Sequence, residues 1–176
     1  ATNIAFNAAL AQLKNPTKGS GAGVAFFSLE MSALQLALRI LGQETGISSD
    51  RIRRGAIDQS AFPSFVELSQ NLSKLPLFID DTPALTISGL LTRARRLKRK
   101  ESIGLIVIDY LQLLSSDRGG NENRVQELSE ITRGLKNLAK QLEAQANGML
   151  KQLQNKPKNL VTPLIDKPST FPSRSE

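Results

Sequence analysis

The stretch IGLIVIDY, residues 103–110, decides the fold of this chain. Its apolar run is too short for a typical helix, so it predicts a buried strand. The run ends abruptly on one carboxylate, Asp109, and the carboxyl ends of strands are where sites form in open α/β sheets. The stretch therefore predicts a strand that delivers Asp109 to a site.

Asp109 has two interpretations at this point. In phosphate-loop nucleoside triphosphatases, an aspartate at the end of a central strand holds the Mg²⁺ of the bound nucleotide. An ordinary core strand with an aspartate at its exit has the same pattern and is equally common in open α/β sheets. The stretch alone does not separate the two.

The composition favours an α/β domain with an aliphatic core. The chain has 176 residues, of which 40% are hydrophobic and only 5% aromatic, so one domain packed with Leu, Ile, Val and Ala is expected. It contains no Cys and no His, which excludes disulfides, thiolate or imidazole zinc sites, and nucleophilic mechanisms that need an imidazole. Carboxylates, Lys, Arg and hydroxyls remain, the set used in Mg²⁺-dependent phosphoryl transfer.

Charge and hydropathy restrict the setting of the protein. A net charge of +7 fits a polyanionic partner, and it fits a solvated lysine-rich surface nearly as well. No apolar run approaches the roughly 20 residues that span a bilayer, and the first residues lack the charged start of a signal peptide. We therefore expect a cytoplasmic protein with no membrane partner.

Strands and helices alternate along the chain. Strands are predicted at residues 23–29, 77–79 and 103–110, and helical patterns precede, separate and follow them. Ser32 and Thr86 are placed to cap two of the helices. The alternation predicts a right-handed, doubly wound parallel sheet.

Four carboxylates follow the predicted strands: Glu30, Asp80, Asp81 and Asp109. The carboxyl ends of parallel strands meet at one edge of a sheet, so we expect these side chains at that edge. A Glu and an Asp near a phosphate suit the activation of water beside a metal ion. Placement alone leaves the reaction open, and the pattern assigns no role to Asp80 or Asp81.

Positive charge is densest on the predicted helix at residues 87–100. A solvated basic face is the preferred interpretation because no aromatic residue interleaves for base stacking; nucleic-acid binding is the alternative. Residues 115–124 form a predicted polar loop with paired glycines. Apolar residues at helical spacing then predict a long helix over residues 125–142, with a pattern that extends to about residue 154.

The amino-acid sequences of several motifs resemble those of a known family. The segments are FFSLEMS at residues 26–32, DDTP at 80–83, LTRARRLKR at 91–99, LIVIDYLQL at 105–113 and ELSEITRGLKNLAKQL at 127–142. They closely resemble the C-terminal motor domain of bacterial replicative DNA helicases of the DnaB family, and the likeness extends over residues 1–143. The resemblance implies a RecA-like parallel sheet with flanking helices.

The resemblance also implies roles for individual residues. Glu30 matches the catalytic glutamate that polarises the attacking water, and Asp109 matches the acid that coordinates Mg²⁺. Residues 115–124 match a channel loop that faces single-stranded DNA in a homohexameric ring, which makes Arg118 and Arg124 candidate DNA contacts. The implied cofactors are ATP and Mg²⁺. The implied activity is ATP-driven unwinding of duplex DNA at the replication fork.

The chain departs from the family pattern at the phosphate loop. That loop has the pattern G-x-x-x-x-G-K-[ST], which does not occur in the 176 residues. The glycine-rich residues 19–23 precede a strand, so we interpret them as a flexible connection. We expect an incomplete phosphate-loop core, inactive by itself and marginally stable, with uncovered apolar faces and unpaired strand edges.

Residues 144–176 differ in character from the rest. They hold four of the eight prolines and predict an irregular, divergent tail beyond the long helix. Our hypothesis is that the change near residue 143 marks a truncated, frameshifted or rearranged reading frame. Two alternatives to the helicase motor stay open: a non-catalytic module that binds DNA or a helicase, and a decayed fragment without activity.

Overall fold

The computed structural model describes residues 1–16, 21–114 and 124–154, with side chains described up to residue 144, except that of Arg124. The chain divides into two compact units, residues 1–142 and 143–176. The described part of the second unit is the end of the last helix. The expected tail beyond Pro157 lies outside the described residues.

Three parallel strands form the sheet of the first unit. They are β1 (Gly23–Ser28), β2 (Leu77–Asp80) and β3 (Ile103–Asp109), and they lie in the order β2-β1-β3. The helices are α1 (Thr2–Lys14), α2 (Ala33–Thr45), α3 (Ser49–Arg53), α4 (Phe62–Leu72), α5 (Ile87–Lys100) and α6 (Arg124–Gln154), with a 3₁₀ turn at Leu111–Leu113. The predicted parallel sheet is confirmed.

The central strand β1 supplies core residues to both faces of the sheet. Successive side chains of a strand point to opposite faces, so Val24 and Phe26 pack with residues of α1 and α2, such as Ala9 and Leu36. Ala25 and Phe27 pack on the other face, with Leu90 and Ala94 of α5 and Ile131 and Leu138 of α6. All six residues of β1 are buried. Helices therefore cover both faces, as a doubly wound sheet requires.

Both predicted helix caps are present. The Ser32 hydroxyl accepts a hydrogen bond from the Gln35 amide at 3.2 Å, and the Gln35 side chain accepts one from the Ser32 amide at 2.8 Å, which completes a capping box. The Thr86 hydroxyl accepts a hydrogen bond from the Gly89 amide at 3.2 Å. These caps fix where α2 and α5 begin, immediately after the loops that leave β1 and β2.

Two features differ from the sequence-based interpretation. The short helix α3 was not anticipated, because five residues are too few for a helical period to show; its Ser48 cap was the available signal. Gly21 and Gly23 are not part of a flexible connection. A β-carbon on Gly21 would overlap main-chain atoms of α1, and one on Gly23 would overlap the carbonyl of Ser102. These glycines allow close packing of backbones.

The outer edges of the sheet are open within the described part of the chain. β2 and β3 each pair with β1 alone. Leu105, Ile106, Val107 and Ile108 on β3 are only half-buried, although each side of the sheet carries helices. This matches the expected unpaired edges, and marginal stability remains a prediction.

Candidate functional site

The loop between β1 and α2 carries Glu30. It begins at Ser28, whose hydroxyl donates a 2.6 Å hydrogen bond to the carbonyl of Met31. The Leu29 amide donates a 2.8 Å hydrogen bond to the carbonyl of Asp109. Both bonds hold the loop in a tight turn at the strand end, while Glu30 itself is exposed.

Asp109 lies at the end of the neighbouring strand. It is half-buried, and its residue partner across the ladder is Ser28, the last residue of β1. Glu30 is two residues beyond Ser28, so the sheet register and the Leu29–Asp109 bond bring the main chains of the two acidic positions together. The structure thus places Glu30 and Asp109 at the carboxyl ends of adjacent parallel strands, where such folds bind ligands.

The donor set at this edge fits Mg²⁺ held together with a nucleotide. The described residues contain no group of three or more acidic side chains that could enclose a metal ion. Mg²⁺ commonly takes one or two carboxylates and completes its shell with water and substrate phosphates. A single half-buried carboxylate, Asp109, suits that kind of coordination. The phosphate-binding half of such a site requires a sequence pattern that these 176 residues do not contain.

Asp80, at the end of β2, is engaged with α5. The Arg93 guanidinium donates to both Asp80 carboxylate oxygens, at 3.0 and 2.8 Å, and to the Thr82 hydroxyl at 2.7 Å. The Thr82 amide donates to Asp80 Oδ1 at 3.1 Å. Partial burial raises the pKa of Asp80, but the hydrogen bonds from Arg93 and Thr82 and the charge of Arg93 outweigh it, so the pKa lies below the ordinary 3.8.

Replacing Arg93 by Gln is expected to raise the pKa of Asp80. The substitution removes hydrogen bonds and a positive charge that favour the carboxylate, while the burial that disfavours it stays. Because the folded pKa is depressed, the stability that the pair contributes is present above pH 3.8 and is lost as the pH falls through the lower folded value. An NMR titration of the Asp80 carboxyl carbon measures this.

The matched control for that titration is Arg96→Gln, an exposed position one helical turn further along α5. It removes the same charge but leaves the Arg93–Asp80 hydrogen bonds in place, so the Asp80 midpoint is expected to stay near that of the unmodified chain. An equal rise in both variants would mean that general charge, rather than the Arg93 contact, sets the pKa.

Asp81, the next residue, is engaged with α2. Its Oδ2 accepts a 2.8 Å hydrogen bond from the amide of Ala33, the first residue of that helix. The first turn of α2 has no acidic residue of its own, so a carboxylate from 48 positions away takes the place favoured at a helix N-terminus. Sequence reasoning assigned no role to either aspartate; an uncompensated helix start was the one signal available for Asp81.

Arg118 lies outside the described residues. Arg124 begins α6, and its side chain also lies outside the described part of the chain. Their assignment as DNA contacts stays a prediction. The assignment of residues 115–124 as a channel loop also stays a prediction, because only the helical backbone of residue 124 lies within the described part of the chain.

The basic helix α5 uses half of its cationic side chains inside the fold. Arg93 binds Asp80, and Arg95 donates to the side-chain oxygen of Gln141 on α6 at 3.2 and 2.9 Å. Lys98 donates to the carbonyl of Ile103, at the start of β3. Arg96, Arg99 and Lys100 are exposed. The charge cluster therefore has a structural part and an exposed part, and the preferred interpretation of a solvated basic face holds only for the exposed part.

Among the described helices, none combines the length and the apolar character needed to cross a membrane.

Comparison with known sequences gives a family for the chain. The family model for the DnaB-like helicase C-terminal domain matches residues 1–159. The match continues past residue 143, where the resemblance in motif sequence was expected to end.

Curated relatives agree with the family model. The replicative DNA helicase DnaB of Rickettsia bellii is 48% identical over 146 residues, which cover 81% of this chain and 29% of that protein. The corresponding helicase of Rickettsia felis is 50% identical over 121 residues, 68% of this chain and 24% of that protein. The replicative DNA helicase DnaB of Synechocystis is 45% identical over 132 residues, which cover 74% of this chain and 15% of that protein. The chain thus spans less than a third of the length of these relatives.

Solved structures resemble the fold. One solved ATPase domain superposes with a TM-score of 0.64 at 26% identity, over 80% of this chain and 50% of that one. A DnaB-like replicative helicase, solved in a study of its interactions with primase, superposes with a TM-score of 0.65 at 24% identity, over 80% of this chain and 34% of that one. This second match shows a likeness of fold alone. The expected RecA-like class is confirmed. The matching residues, the parallel sheet and the strand-end acids agree, and the chain belongs to the DnaB-like helicase C-terminal domain family.

Proposed function

We propose that this chain provides the water-activating and metal-binding acids of an ATP-driven DNA helicase motor. Glu30 polarises the water that attacks the terminal phosphate, and Asp109 holds Mg²⁺. The observation that carries the proposal is the position of these two acids, at the carboxyl ends of the hydrogen-bonded strands β1 and β3, in a chain that the helicase family model matches over residues 1–159.

The surroundings of the two residues suit their roles. Glu30 is exposed at a strand-to-helix turn, where it can reach a water molecule from solvent. Asp109 is half-buried, and the Leu29 amide anchors it through its main-chain carbonyl, a bond that does not use its carboxylate. A bound Mg²⁺ would neutralise charge that develops on the phosphates. The proposal extends to single-stranded DNA as the ligand of the channel and to a homohexamer as the assembly.

The proposal is tested in two settings. The 176-residue chain alone is expected to hydrolyse no measurable ATP, because it contains no phosphate loop. A chimeric helicase, in which residues 1–142 replace the matching segment of the Rickettsia bellii protein, supplies that loop from the host. We expect DNA-stimulated ATP hydrolysis and strand separation from this chimera, within about tenfold of the host rate.

The outcomes of this test are distinct. A chimera that assembles and binds nucleotide but does not hydrolyse it would reject the proposed motor role. Turnover by the isolated chain that is abolished by Glu30→Gln would show that the phosphates are held by some other segment.

A further inference from the structure

The loop that carries Glu30 is fixed on both sides. The Leu29 amide holds its first half to β3, and the Ser28 hydroxyl at the end of β1 holds the carbonyl of Met31, the residue after Glu30. Its second half enters α2 through the Ser32 capping box, whose hydrogen bonds all lie within α2 and its cap. The capping box therefore shapes the entry to the helix but does not tie it to the sheet.

Asp81 supplies a direct polar tie between the sheet and the start of α2. It follows β2, the edge strand beside β1, and accepts from the Ala33 amide at 2.8 Å. Leu36 also packs α2 on the sheet, but apolar contacts are not directional and permit sliding. A charge-assisted hydrogen bond at the first helical residue fixes both distance and direction. Glu30 is three residues before Ala33, so a displacement of this helix start would strain the short loop that carries Glu30.

We propose that Asp81 is the positioning residue for Glu30. By holding the N-terminus of α2, it sets the height of the Glu30 carboxylate over the carboxyl edge of the sheet, beside Asp109. This inference rests on the proposed function, in which Glu30 polarises water. It also explains why two adjacent aspartates follow β2: Asp80 binds α5 through Arg93, and Asp81 binds α2.

Two substitutions remove the Asp81–Ala33 bond from opposite sides. Asp81→Ala removes the acceptor. Ala33→Pro removes the donor and leaves Asp81 in place, and proline is favoured at the first position of a helix. The preceding residue, Ser32, already has the extended backbone that a following proline requires, with φ −67° and ψ 156°. The Ala33→Pro helix is therefore expected to fold normally.

Two further variants serve as controls. Asp81→Asn keeps an oxygen that can accept from the Ala33 amide, so it is the rescuing substitution. Asp80→Asn weakens the neighbouring pair with Arg93 and leaves α2 untouched. A purely structural role for the DDTP segment would make Asp80→Asn and Asp81→Ala similar, whereas a positioning role separates them.

In the chimeric helicase, Asp81→Ala and Ala33→Pro are each expected to lower kcat by about 10- to 100-fold, because a small displacement of a catalytic group is costly. The KM for ATP is expected to change less than about twofold, since Glu30 acts on water and not on nucleotide binding. Asp81→Asn and Asp80→Asn are expected to retain kcat within about threefold. Unchanged kcat in Asp81→Ala and Ala33→Pro, in a chimera whose Glu30→Gln variant is inactive, overturns the inference and leaves the proposed function standing.

A measurement on the 176-residue chain separates the inference from catalysis altogether. Hydrogen exchange of the Ala33 amide is expected to accelerate about tenfold or more in Asp81→Ala, and to stay near the parent value in Asp80→Asn. The Leu29 amide, bonded to Asp109, reports whether the change spreads along the Glu30 loop. Equal Ala33 exchange in the parent and in Asp81→Ala would overturn the inference even if the chimera were inactive.

Discussion

Glu30→Gln in the chimeric helicase is expected to lower kcat for ATP hydrolysis by about 10²- to 10⁴-fold, the range typical for loss of a general base. Gln keeps the size of the side chain and its place on the loop, but it cannot take a proton from water. Nucleotide binding is expected to persist, since Glu30 is exposed beyond β1 and its proposed role involves only the attacking water. Steady-state hydrolysis and fluorescent-nucleotide binding measure the two effects separately.

The matched control is Glu44→Gln. Glu44 is also an exposed glutamate, and it lies in the last turn of α2, at the end of the helix opposite Glu30. The same loss of charge there is expected to leave kcat unchanged. If Glu30→Gln retained parental turnover, Glu30 would not be the water-polarising group, and the proposed assignment would fail.

Phe26→Ala is expected to destabilise the fold by about 3–5 kcal/mol, the cost typical of truncating a buried aromatic side chain. Phe26 is 2% exposed, on the central strand, and packs in the cluster with Ala9, Val24 and Leu36. Its removal leaves a cavity between the sheet and the helices α1 and α2. A domain of this size has about 5–15 kcal/mol of stability in total, and we expect this chain at the low end because both sheet edges are open among the described residues.

Urea unfolding followed by circular dichroism measures the effect. Phe62→Ala is the control, because Phe62 is 55% exposed and begins α4, a helix with no buried residue. That variant is expected to unfold within about 0.5 kcal/mol of the parent. Equal unfolding midpoints for the two variants would contradict the assignment of the core to the faces of β1.

The predicted parts of the site were those with a local pattern. The apolar run before Asp109 predicted β3, since a strand buried on both faces is apolar throughout. Ser32 and Thr86 predicted helix starts because capping depends on neighbours within three residues. The helix that reaches Gln154 was anticipated from its period despite Gly148. The roles of Glu30 and Asp109 came from the resemblance of their motifs to the family, not from hydrophobic or capping patterns. Those roles await the kinetic tests.

The incorrect or missing parts depended on distant contacts. The glycines at 21 and 23 have the composition of a flexible connection, yet they pack against the backbone of α1 and the residue before β3. The basic cluster on α5 was interpreted as a solvated face, and three of its cations have partners on other elements. Such partners have no periodic signature in the sequence, because they meet only once the chain is folded.

By itself, the sequence determined the parallel α/β class, the family and the strand ends at which the acids lie. The reason is that hydrophobic periodicity, capping residues and motif sequences are all properties of short segments. The tertiary structure alone decided what Asp80 and Asp81 contact. Asp80 and Asp81 are identical neighbours along the chain, yet Asp80, the last residue of β2, binds Arg93 on α5, and Asp81, just beyond the strand, binds the start of α2. Strand β3 brings Asp109 to the carboxyl edge of the sheet, and the register with β1 pairs it with Ser28, two residues before Glu30.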